Sequence, residues 1–380
     1  MPHNICLRPS FVLQCLLLLG WYAGLAGCGS GAYTSPATSV PVPLPADATY
    51  NTSVRAAGYT ITDLGPGKVA AINMSGQVLG SNRHTYLWTN GSRHYLGILA
   101  GDKGGSDAIS LNDNGQALGM SYGNPPAVEV GPGPSHIFVW QNGAFTRVAD
   151  DSGNGHYAAY KINNAGQALI SFSDYPATAV SELWQGGTTT PISIIGKSGK
   201  ALALDSINNR GDIIGGGSDS PEVFQETPVP ARSYLIQNGQ ATDLGFLTDR
   251  PRTGAQFIND NQQIVGIGFP YSVNDPDLPP LPFVWQNGQL TVLKGLLGDY
   301  VMNGLNKPGQ IVGWIQDTST ARRFAFRYDL NTQMLVDLDA TIGKSAGWQL
   351  TSATAINDVG QIIGEGQHNG QARSYLLTPQ

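Results

Sequence analysis

The side chains that most often carry out catalysis are few in this chain, and their spacing matches no catalytic motif. Five histidines follow the N-terminal segment, and no two of them have the spacing of a zinc-ligating pair: they are His84, His94, His136, His156 and His368. The sequence contains no G-x-S-x-G nucleophile motif and no phosphate-binding loop. We therefore predict no catalytic residue, no cofactor-binding residue and no metal ligand.

Carboxylates are the remaining candidates for chemistry, because a pair of them can cleave a glycosidic bond. Acidic residues gather in the longer connections of the chain, namely Glu129, Glu222, Glu226, Asp275 and Asp277 in one set and Asp102, Asp150, Asp151, Asp249 and Asp299 in another. Solvated surface charge is the simpler interpretation, since loops are polar. Asp113, Asp260 and Asp358 lie within repeated turns, where hydrogen bonds to the local backbone account for them.

The composition indicates a folded protein with many turns and argues against nucleic-acid binding. Hydrophobic residues make up 41% of the 380 residues and charged residues 13%, with 49 Gly and 24 Pro. That apolar content excludes a disordered chain, and frequent Gly and Pro are typical of short strands joined by turns. The formal net charge is −6 and no basic stripe is present, so a phosphate backbone is not an expected partner.

Residues 1–27 have the features of an export signal. Arg8 precedes an apolar run from Phe11 to Leu25, which is too short for a comfortable membrane span. The stretch Leu25-Ala26-Gly27-Cys28 resembles the lipobox of bacterial lipoproteins, which implies cleavage before Cys28 and a diacylglycerol on its sulfur. Gly29, where a retained lipoprotein commonly has Asp, favours the outer membrane; an ordinary cleaved signal is the alternative.

Two consequences follow for the processed chain. Cys6 and Cys15 leave with the signal, so that Cys28 alone remains and no intrachain disulfide can form. Residues 28–58 are rich in Ala, Ser, Thr and Pro and show no hydrophobic periodicity, which predicts a tether between a lipid anchor and the folded domain. The folded domain is then residues 59–380, held off the membrane surface, and whether it faces the periplasm or the exterior stays open.

A short motif repeats along that domain and organises it. An aliphatic residue, Asn, two variable residues, usually Gly, and then Gln or Asp precede an apolar run, with the Asn at positions 73, 112, 163, 208, 259, 306 and 357. The seven copies are on average about 47 residues apart, a period typical of repeat arrays and propellers. Because Asn can bond to its own backbone and Gly accepts positive φ, each copy predicts a β-hairpin.

A second hairpin follows the first in most copies. Asn90-Gly91, Asn142-Gly143 and Asn287-Gly288 each lie between alternating apolar runs, which is the pattern of a two-residue type I′ turn. This register places Trp140 opposite Phe145 and Trp285 opposite Leu290 as cross-strand pairs of the sheet core. It also places His94 opposite Leu87 and not opposite His84.

Four strands in each of seven copies predict an all-β fold, a seven-bladed β-propeller of four-stranded blades. Small residues precede each Asn hairpin, which suits an innermost strand near the axis; they are Ala70, Ala71, Ala108, Ser110, Ala159, Ser206, Gly304 and Ala355. The last copy ends after three strands, whereas Tyr59–Gly65 is a strand with no copy before it. We predict that Tyr59–Gly65 pairs beside Ser374–Leu377, completes the seventh blade and closes the ring.

At this level of detail the repeat resembles that of the bacterial extracellular HAF-repeat proteins. The resemblance rests on Ala70–Gly80, Tyr86–Gly91, Thr62–Gly65 and Thr242–Gly245, and covers about residues 58–380. It implies an exported repeat protein of a family without an assigned enzymatic activity. It identifies no ligand. The Trp-Asp dipeptide and recurrent Gly-Gly pair of other propeller repeats are absent.

These features favour a lipid-anchored binding or scaffold propeller of the cell envelope, whose ligand is an unidentified envelope protein or glycan. A carbohydrate-active propeller enzyme and a structural subunit of an envelope assembly are the alternatives, because a fold does not determine function. We expect the site on the face that carries the longer connections, called the long-loop face here. These connections are Tyr122–Ser135, Gly217–Arg232, Phe269–Pro282, Gly97–Gly105, Phe246–Gly254 and Asp339–Gln349.

Overall fold

The computed structural model describes residues 58–123, 135–150, 155–174, 180–218, 231–270, 278–296, 298–317, 320–343 and 347–380. In these ranges the chain is all-β, with 28 strands and one 3₁₀ turn at Leu338–Thr341. The predicted signal peptide, Cys28 and the tether lie outside the described residues, as do the centres of three long connections. None of the described helical residues forms a helix long and apolar enough to cross a membrane.

Each copy of the repeat forms one unit, and the units are numbered 1 to 7 in the order of their Asn hairpins. A first strand, β1 (Tyr59–Gly65), precedes them. Unit 1 contains β2 (Lys68–Ile72), β3 (Val78–Asn82), β4 (His84–Thr89) and β5 (Ser92–Gly97). Unit 2 contains β6 (Gly105–Leu111), β7 (Ala117–Tyr122), β8 (Ser135–Gln141) and β9 (Ala144–Asp150). Unit 3 contains β10 (Gly155–Ile162), β11 (Gln167–Asp174), β12 (Val180–Gln185) and β13 (Thr188–Ile192).

The later units follow the same order of strands. Unit 4 contains β14 (Ala203–Ile207), β15 (Ile213–Ser218), β16 (Ala231–Gln237) and β17 (Gln240–Asp243). Unit 5 contains β18 (Arg252–Ile258), β19 (Ile264–Phe269), β20 (Leu281–Gln286) and β21 (Gln289–Val292). Unit 6 contains β22 (Asp299–Leu305), β23 (Gln310–Gln316), β24 (Arg323–Asp329) and β25 (Met334–Asp337). Unit 7 contains β26 (Trp348–Ile356), β27 (Ile362–His368) and β28 (Gln371–Pro379).

Within every unit the strands pair in sequence order and antiparallel. Units 1, 2, 3 and 6 each form a four-stranded sheet, and none of the sheets in the described residues closes on itself. Units 4 and 5 share one eight-stranded sheet because Ala231 makes a single parallel bridge to Arg252. Since the strands alternate in direction, the Asn hairpins all lie at one end of the units, and the connections between units lie at the other.

The first strand, β1, adds a fourth strand to unit 7. It pairs antiparallel with β28, from Tyr59 opposite Pro379 to Gly65 opposite Ser374, so the predicted pairing of residues 59–65 is present. Tyr59 is buried in the core cluster of units 6 and 7, and Leu64 is buried in a cluster with Val69 of unit 1. Both ends of the described domain are therefore packed together through β1.

The Asn hairpin has the geometry that its sequence predicts. The Asn73 Oδ1 atom accepts a hydrogen bond from the Gln77 backbone N–H at 3.0 Å, and its Nδ2 atom donates to Gln77 Oε1 at 2.8 Å. Gly76 has a φ of 75°, which an L side chain rarely adopts. The Asn and Gln of the motif thus hold the turn, and the Gly reverses the chain.

The two-residue turns are equally regular. Asn90, Asn142 and Asn287 have φ values of 51°, 51° and 52°, as a type I′ turn requires. Trp140 lies opposite Phe145 and Trp285 lies opposite Leu290, as predicted, and Trp285 is buried. The interpretation of these Trp residues as sheet core is confirmed.

Two departures from the motif compensate one another across a unit boundary. Unit 4 has Asp212 in place of the motif Gln, and unit 5 has Gln262 in place of the motif Gly, with a φ of 57°. Gln262 Nε2 donates to Asp212 Oδ2 at 3.2 Å, and Gln237 Nε2 donates to Asp212 Oδ1 at 2.9 Å. Burial alone would raise the pKa of Asp212, but these amide hydrogen bonds and Arg210 lower it. The shorter Asp side chain leaves the space that Gln262 fills.

Candidate functional site

The first strand of every unit contains a β-bulge three residues before the motif Asn. The strand register shifts there in all seven units, so that the bulge residue has no cross-strand partner. A bulge redirects a side chain out of the regular alternation of a strand. The residues at this position are Ala70, Ile109, Tyr160, Asp205, Gln256, Asn303 and Thr354.

Residues from the first strands of the seven units line a channel of about 740 Å³, and every bulge residue except Thr354 is among them. Small residues expected near the axis line it as well, among them Ala71, Ser110 and Gly304. Phe269 and Tyr300 lie at the long-loop end of the channel, and Asp260 and Lys307 lie at the Asn-hairpin end. The channel volume is that of a small-molecule site.

A series of hydrogen bonds joins the units around this channel. The Nδ2 atom of each motif Asn donates to the backbone oxygen of the next motif Asn, over 2.8 to 3.3 Å. Asn357 donates to Asn73, 284 residues away, so the series returns to its first member. All seven Asn side chains are buried, and the bonds therefore lie where water competes little with them.

The residues that follow each motif Asn form the rim of the channel at the Asn-hairpin end. Asp113 Oδ1 accepts from the Met74 N–H at 2.8 Å, and Asp260 Oδ1 accepts from the Asn209 N–H at 2.8 Å. Asp358 Oδ1 accepts from the Lys307 N–H at 2.8 Å. These three carboxylates bond to the backbone of the neighbouring unit, so the prediction that they bond to the local backbone of their own turns is wrong.

Asp205 is the carboxylate that lies within the channel wall. In the part of the chain that the structure describes, its side chain has neither a hydrogen bond nor an ion pair. Burial raises the pKa of Asp205 to about 8. The group is therefore a neutral carboxylic acid over most of the physiological range, able to donate as well as accept a hydrogen bond.

We expect Asp205→Asn to stabilise the protein at alkaline pH and to change little at pH 4. Between the unfolded pKa near 4 and the folded pKa of about 8, the folded state keeps a proton that the unfolded state has lost, so stability falls as the pH rises. The Asn side chain does not titrate, so the variant lacks this loss of stability at high pH. The loss is worth about 2–3 kcal/mol at pH 9 once screening by water in the open channel is allowed for. Denaturant titrations from pH 4 to 9 measure it; parallel curves for the two proteins would contradict it.

Neighbouring units add three further polar groups to the wall. Tyr160 donates to or accepts from Ser171 Oγ at 3.0 Å, and burial raises its pKa. Lys161 is surrounded by protein although the channel admits solvent to it, and burial lowers the pKa of its amine against the attraction of Asp260 and Asp358. The Gln256 Oε1 atom is buried without a hydrogen bond in the described structure. Units 3, 4 and 5 thus form a polar arc of the channel.

The opposite side of the channel is less polar. Ala70 and Ala71 of unit 1, Ile109 of unit 2 and Ala355 of unit 7 line it. The cross-section therefore has a polar arc on units 3 to 5 and an apolar arc on units 7, 1 and 2.

Two of the acidic residues singled out in the connections contact a basic side chain. Asp102 contacts His136 Nδ1 at 3.0 Å, and Asp150 contacts Arg147 at 2.7 Å. Glu129, Glu222, Glu226, Asp275, Asp277 and Asp151 lie outside the described residues. Among the described residues no three His, Cys, Asp or Glu side chains are grouped so as to hold a metal ion. His94 lies opposite Leu87, in the register predicted.

Comparison with known proteins identifies the architecture. No protein-family model matches the sequence, and no curated protein matches it. The β-propeller domain of the Trilobed protease from Pyrococcus furiosus, described as having an open velcro topology, is similar over 84% of this chain and 95% of that chain, with a TM-score of 0.54 and 10% sequence identity. The sheets resemble the blades of a β-propeller. At this identity the likeness concerns the fold alone.

Two other solved structures align more weakly. TolB from Acinetobacter baumannii has a TM-score of 0.40 at 13% identity, over 85% of this chain and 80% of that chain. Dipeptidyl peptidase 4 of Porphyromonas gingivalis has a TM-score of 0.47 at 8% identity, over 90% of this chain and 55% of that chain.

The channel residues Tyr160, Lys161, Asp205 and Gln256 were not singled out by the sequence. The expectation of small residues before each Asn was only partly right, because the bulge exposes one additional position per unit to the channel. The sequence did contain a signal for these residues, which is variation in residue type at one fixed position of the repeat. Three residues before an otherwise constant Asn, the seven copies carry seven different residue types.

Proposed function

We propose that residues 59–380 form a closed seven-bladed β-propeller that binds a small polar ligand in its central channel. The pairing of β1 with β28 and the return of the Asn series from Asn357 to Asn73 support the closed ring. The similar Pyrococcus domain is described as open, so closure is proposed from this chain's own contacts.

The observation that carries the binding function is the contrast between two positions of the repeat. The motif Asn occurs in every unit and stabilises the fold, whereas the bulge residue three positions before it is of a different type in every unit and forms few hydrogen bonds to its neighbours. Desolvated polar groups without partners lower stability. Their presence in a channel of ligand size is explained if a ligand supplies the missing partners.

The long-loop face is the proposed entrance. Phe269, the last residue of β19, lines the channel and leads directly into the connection of unit 5. The corresponding connections of units 1 and 7 are short, because Asn82 pairs with His84 across Arg83 and the Asn369-Gly370 turn joins β27 to β28. The longer connections, at 123–134, 219–230 and 270–280, belong to units 2, 4 and 5, and units 4 and 5 also contribute residues to the polar arc.

We expect Ala70→Trp to abolish ligand binding while the fold persists. Ala70 is a half-buried bulge residue of the channel wall and belongs to none of the core clusters, so an indole there fills the channel and not the core. The measurement is saturation-transfer NMR on the full chain in detergent, with a panel of amino acids, sugars and sugar acids. Val359→Trp, at a position 56% exposed on an Asn hairpin, is the matched control. Ligands of the panel that still bind to Ala70→Trp would contradict the channel site.

We further propose that the domain is an exported HAF-type repeat protein anchored to the outer membrane by lipid on Cys28. The lipobox at Leu25–Cys28 and the Pro-containing tether support this. Cys28→Ser is expected to lose labelling by a fatty-acid analogue, because its side chain lacks the thiol that receives the lipid. Cys15→Ser is the matched control and retains the label. Equal labelling of Cys28→Ser and the parent would refute the anchor.

A further inference from the structure

The polar arc of the channel presents complementary groups on three consecutive units. Lys161 of unit 3 contributes an amine, Asp205 of unit 4 is an acid that can donate a hydrogen bond, and the Gln256 Oε1 atom of unit 5 is an acceptor. Within the described residues, no hydrogen bond or ion pair engages the Lys161 amine or the Asp205 carboxyl. The arc therefore lacks an anion and at least two hydrogen-bonding groups.

Lys161 is unusual for its position in the repeat. Two residues before the motif Asn, five of the other six units have Ala71, Ser110, Ser206, Gly304 and Ala355. A Cβ atom at Gly304 would lie 3.4 Å from the Ala355 Cα atom of the next unit, so this position lies where neighbouring first strands meet. Lys161 lines the channel there, and both Asp260 and Asp358 of the rim attract its amine.

The nearby carboxylates do not take the place of an anionic ligand. Asp260 accepts from the backbone N–H of Asn209 at 2.8 Å and from its Nδ2 atom at 3.0 Å. Asp358 accepts from the backbone N–H of Lys307. Both attract Lys161 from the rim without forming an ion pair with it, so the donors of its side-chain nitrogen remain available for a ligand.

The apolar arc restricts the ligand further. Alanine and isoleucine side chains of units 7, 1 and 2 suit the C–H face of a compact ring, while the polar arc suits an edge of hydroxyl groups. A sugar ring has this division between face and edge. A carboxylate on the sugar ring would supply the anionic hydrogen-bonding partner that the Lys161 amine lacks.

On the basis of the proposed channel function, we propose that the channel binds a sugar acid, with its carboxylate on Lys161 and its hydroxyl groups on Asp205 and Gln256. Hydroxyl groups both donate and accept, so they satisfy the Gln256 oxygen and the Asp205 carboxylic acid together. A ligand carboxylate beside Lys161 raises the pKa of its amine, and the resulting ammonium forms a charge-assisted hydrogen bond with that carboxylate.

The test is calorimetric titration of the full chain in detergent with D-glucuronate and with D-glucose, which differ at one carbon. D-glucuronate is expected to bind at least tenfold more tightly than D-glucose, and Lys161→Met is expected to remove that difference. Lys161→Arg keeps a cation and is expected to retain part of it. Lys197→Met, at an exposed lysine outside the channel, should behave as the parent does.

Each outcome decides the proposal. Equal affinity of the parent for both sugars, an unchanged affinity of Lys161→Met for D-glucuronate, or no binding of D-glucuronate would each overturn the sugar-acid assignment. The channel function itself is tested separately by the panel with Ala70→Trp. If a panel ligand binds to the parent but not to Ala70→Trp, the channel function is supported. If D-glucuronate also fails to bind, the sugar-acid assignment alone is refuted.

Discussion

Deletion of residues 59–65 is expected to prevent the domain from folding stably at 37 °C. The deletion removes the edge strand that pairs with Ser374–Pro379 of β28 and the burial of Tyr59 and Leu64, which are 5% and 3% exposed. It also removes the hydrogen bond from Arg327 Nη1 to the Tyr59 hydroxyl at 2.7 Å. Burial of the two side chains alone is worth about 5 kcal/mol, which approaches the whole stability of a typical domain.

Thermal melting of the full chain measures this effect, and a deletion of equal length in the tether, residues 36–42, is the matched control. The control is expected to melt with the parent. Leu64→Ala provides a milder variant that should fold and lose about 2–4 kcal/mol, since it leaves a cavity between units 7 and 1. If the chain lacking residues 59–65 melts with the parent, β1 does not complete the domain.

The second large effect is expected for Asn163→Ala, with a loss of about 3 kcal/mol in the free energy of unfolding. Asn163 is 1% exposed, and its Oδ1 atom accepts from the backbone N–H groups of Ala165 and Gln167. Its Nδ2 atom donates to Gln167 Oε1 at 2.8 Å and to the Asn208 backbone oxygen at 3.0 Å. The alanine leaves these buried groups without partners, which costs about 1–3 kcal/mol for each unsatisfied group.

Denaturant titration of Asn163→Ala and of Asn82→Ala compares a motif Asn with an exposed one. Asn82 ends β3 and makes no side-chain hydrogen bond to other described residues, so its replacement is expected to change stability by less than about 0.5 kcal/mol. Equal, small losses for both variants would show that the Asn series does not hold the units together.

The local architecture could be predicted from the sequence because its signals are local. An Asn-Gly pair such as Asn142-Gly143 marks a turn that requires positive φ. The two-residue loop then determines the pairing of Trp140 with Phe145. The pairing of Tyr59–Gly65 with β28 followed from counting strands in the last copy. Each of these inferences needed only residues adjacent in sequence or the regularity of the repeat.

The channel could not be predicted in the same way. A β-bulge has no residue signature here, since Ala70, Tyr160 and Asp205 occupy the same structural position. The altered pKa of Asp205 arises from burial, and the channel wall in which it lies is assembled from residues of several units. The hydrogen bond between Gln262 and Asp212 likewise crosses a unit boundary, so the role of Gln262 could not be inferred from its own copy of the motif.

Ligand binding in the central channel underlies both the proposed function and the sugar-acid assignment. A crystal structure of the full chain in detergent, soaked with the strongest ligand of the panel, tests it directly. We predict electron density for the ligand in the channel, within hydrogen-bonding distance of Lys161, Asp205 and Gln256. Density for the ligand on the outer surface of the units, with the channel holding solvent alone, would contradict it.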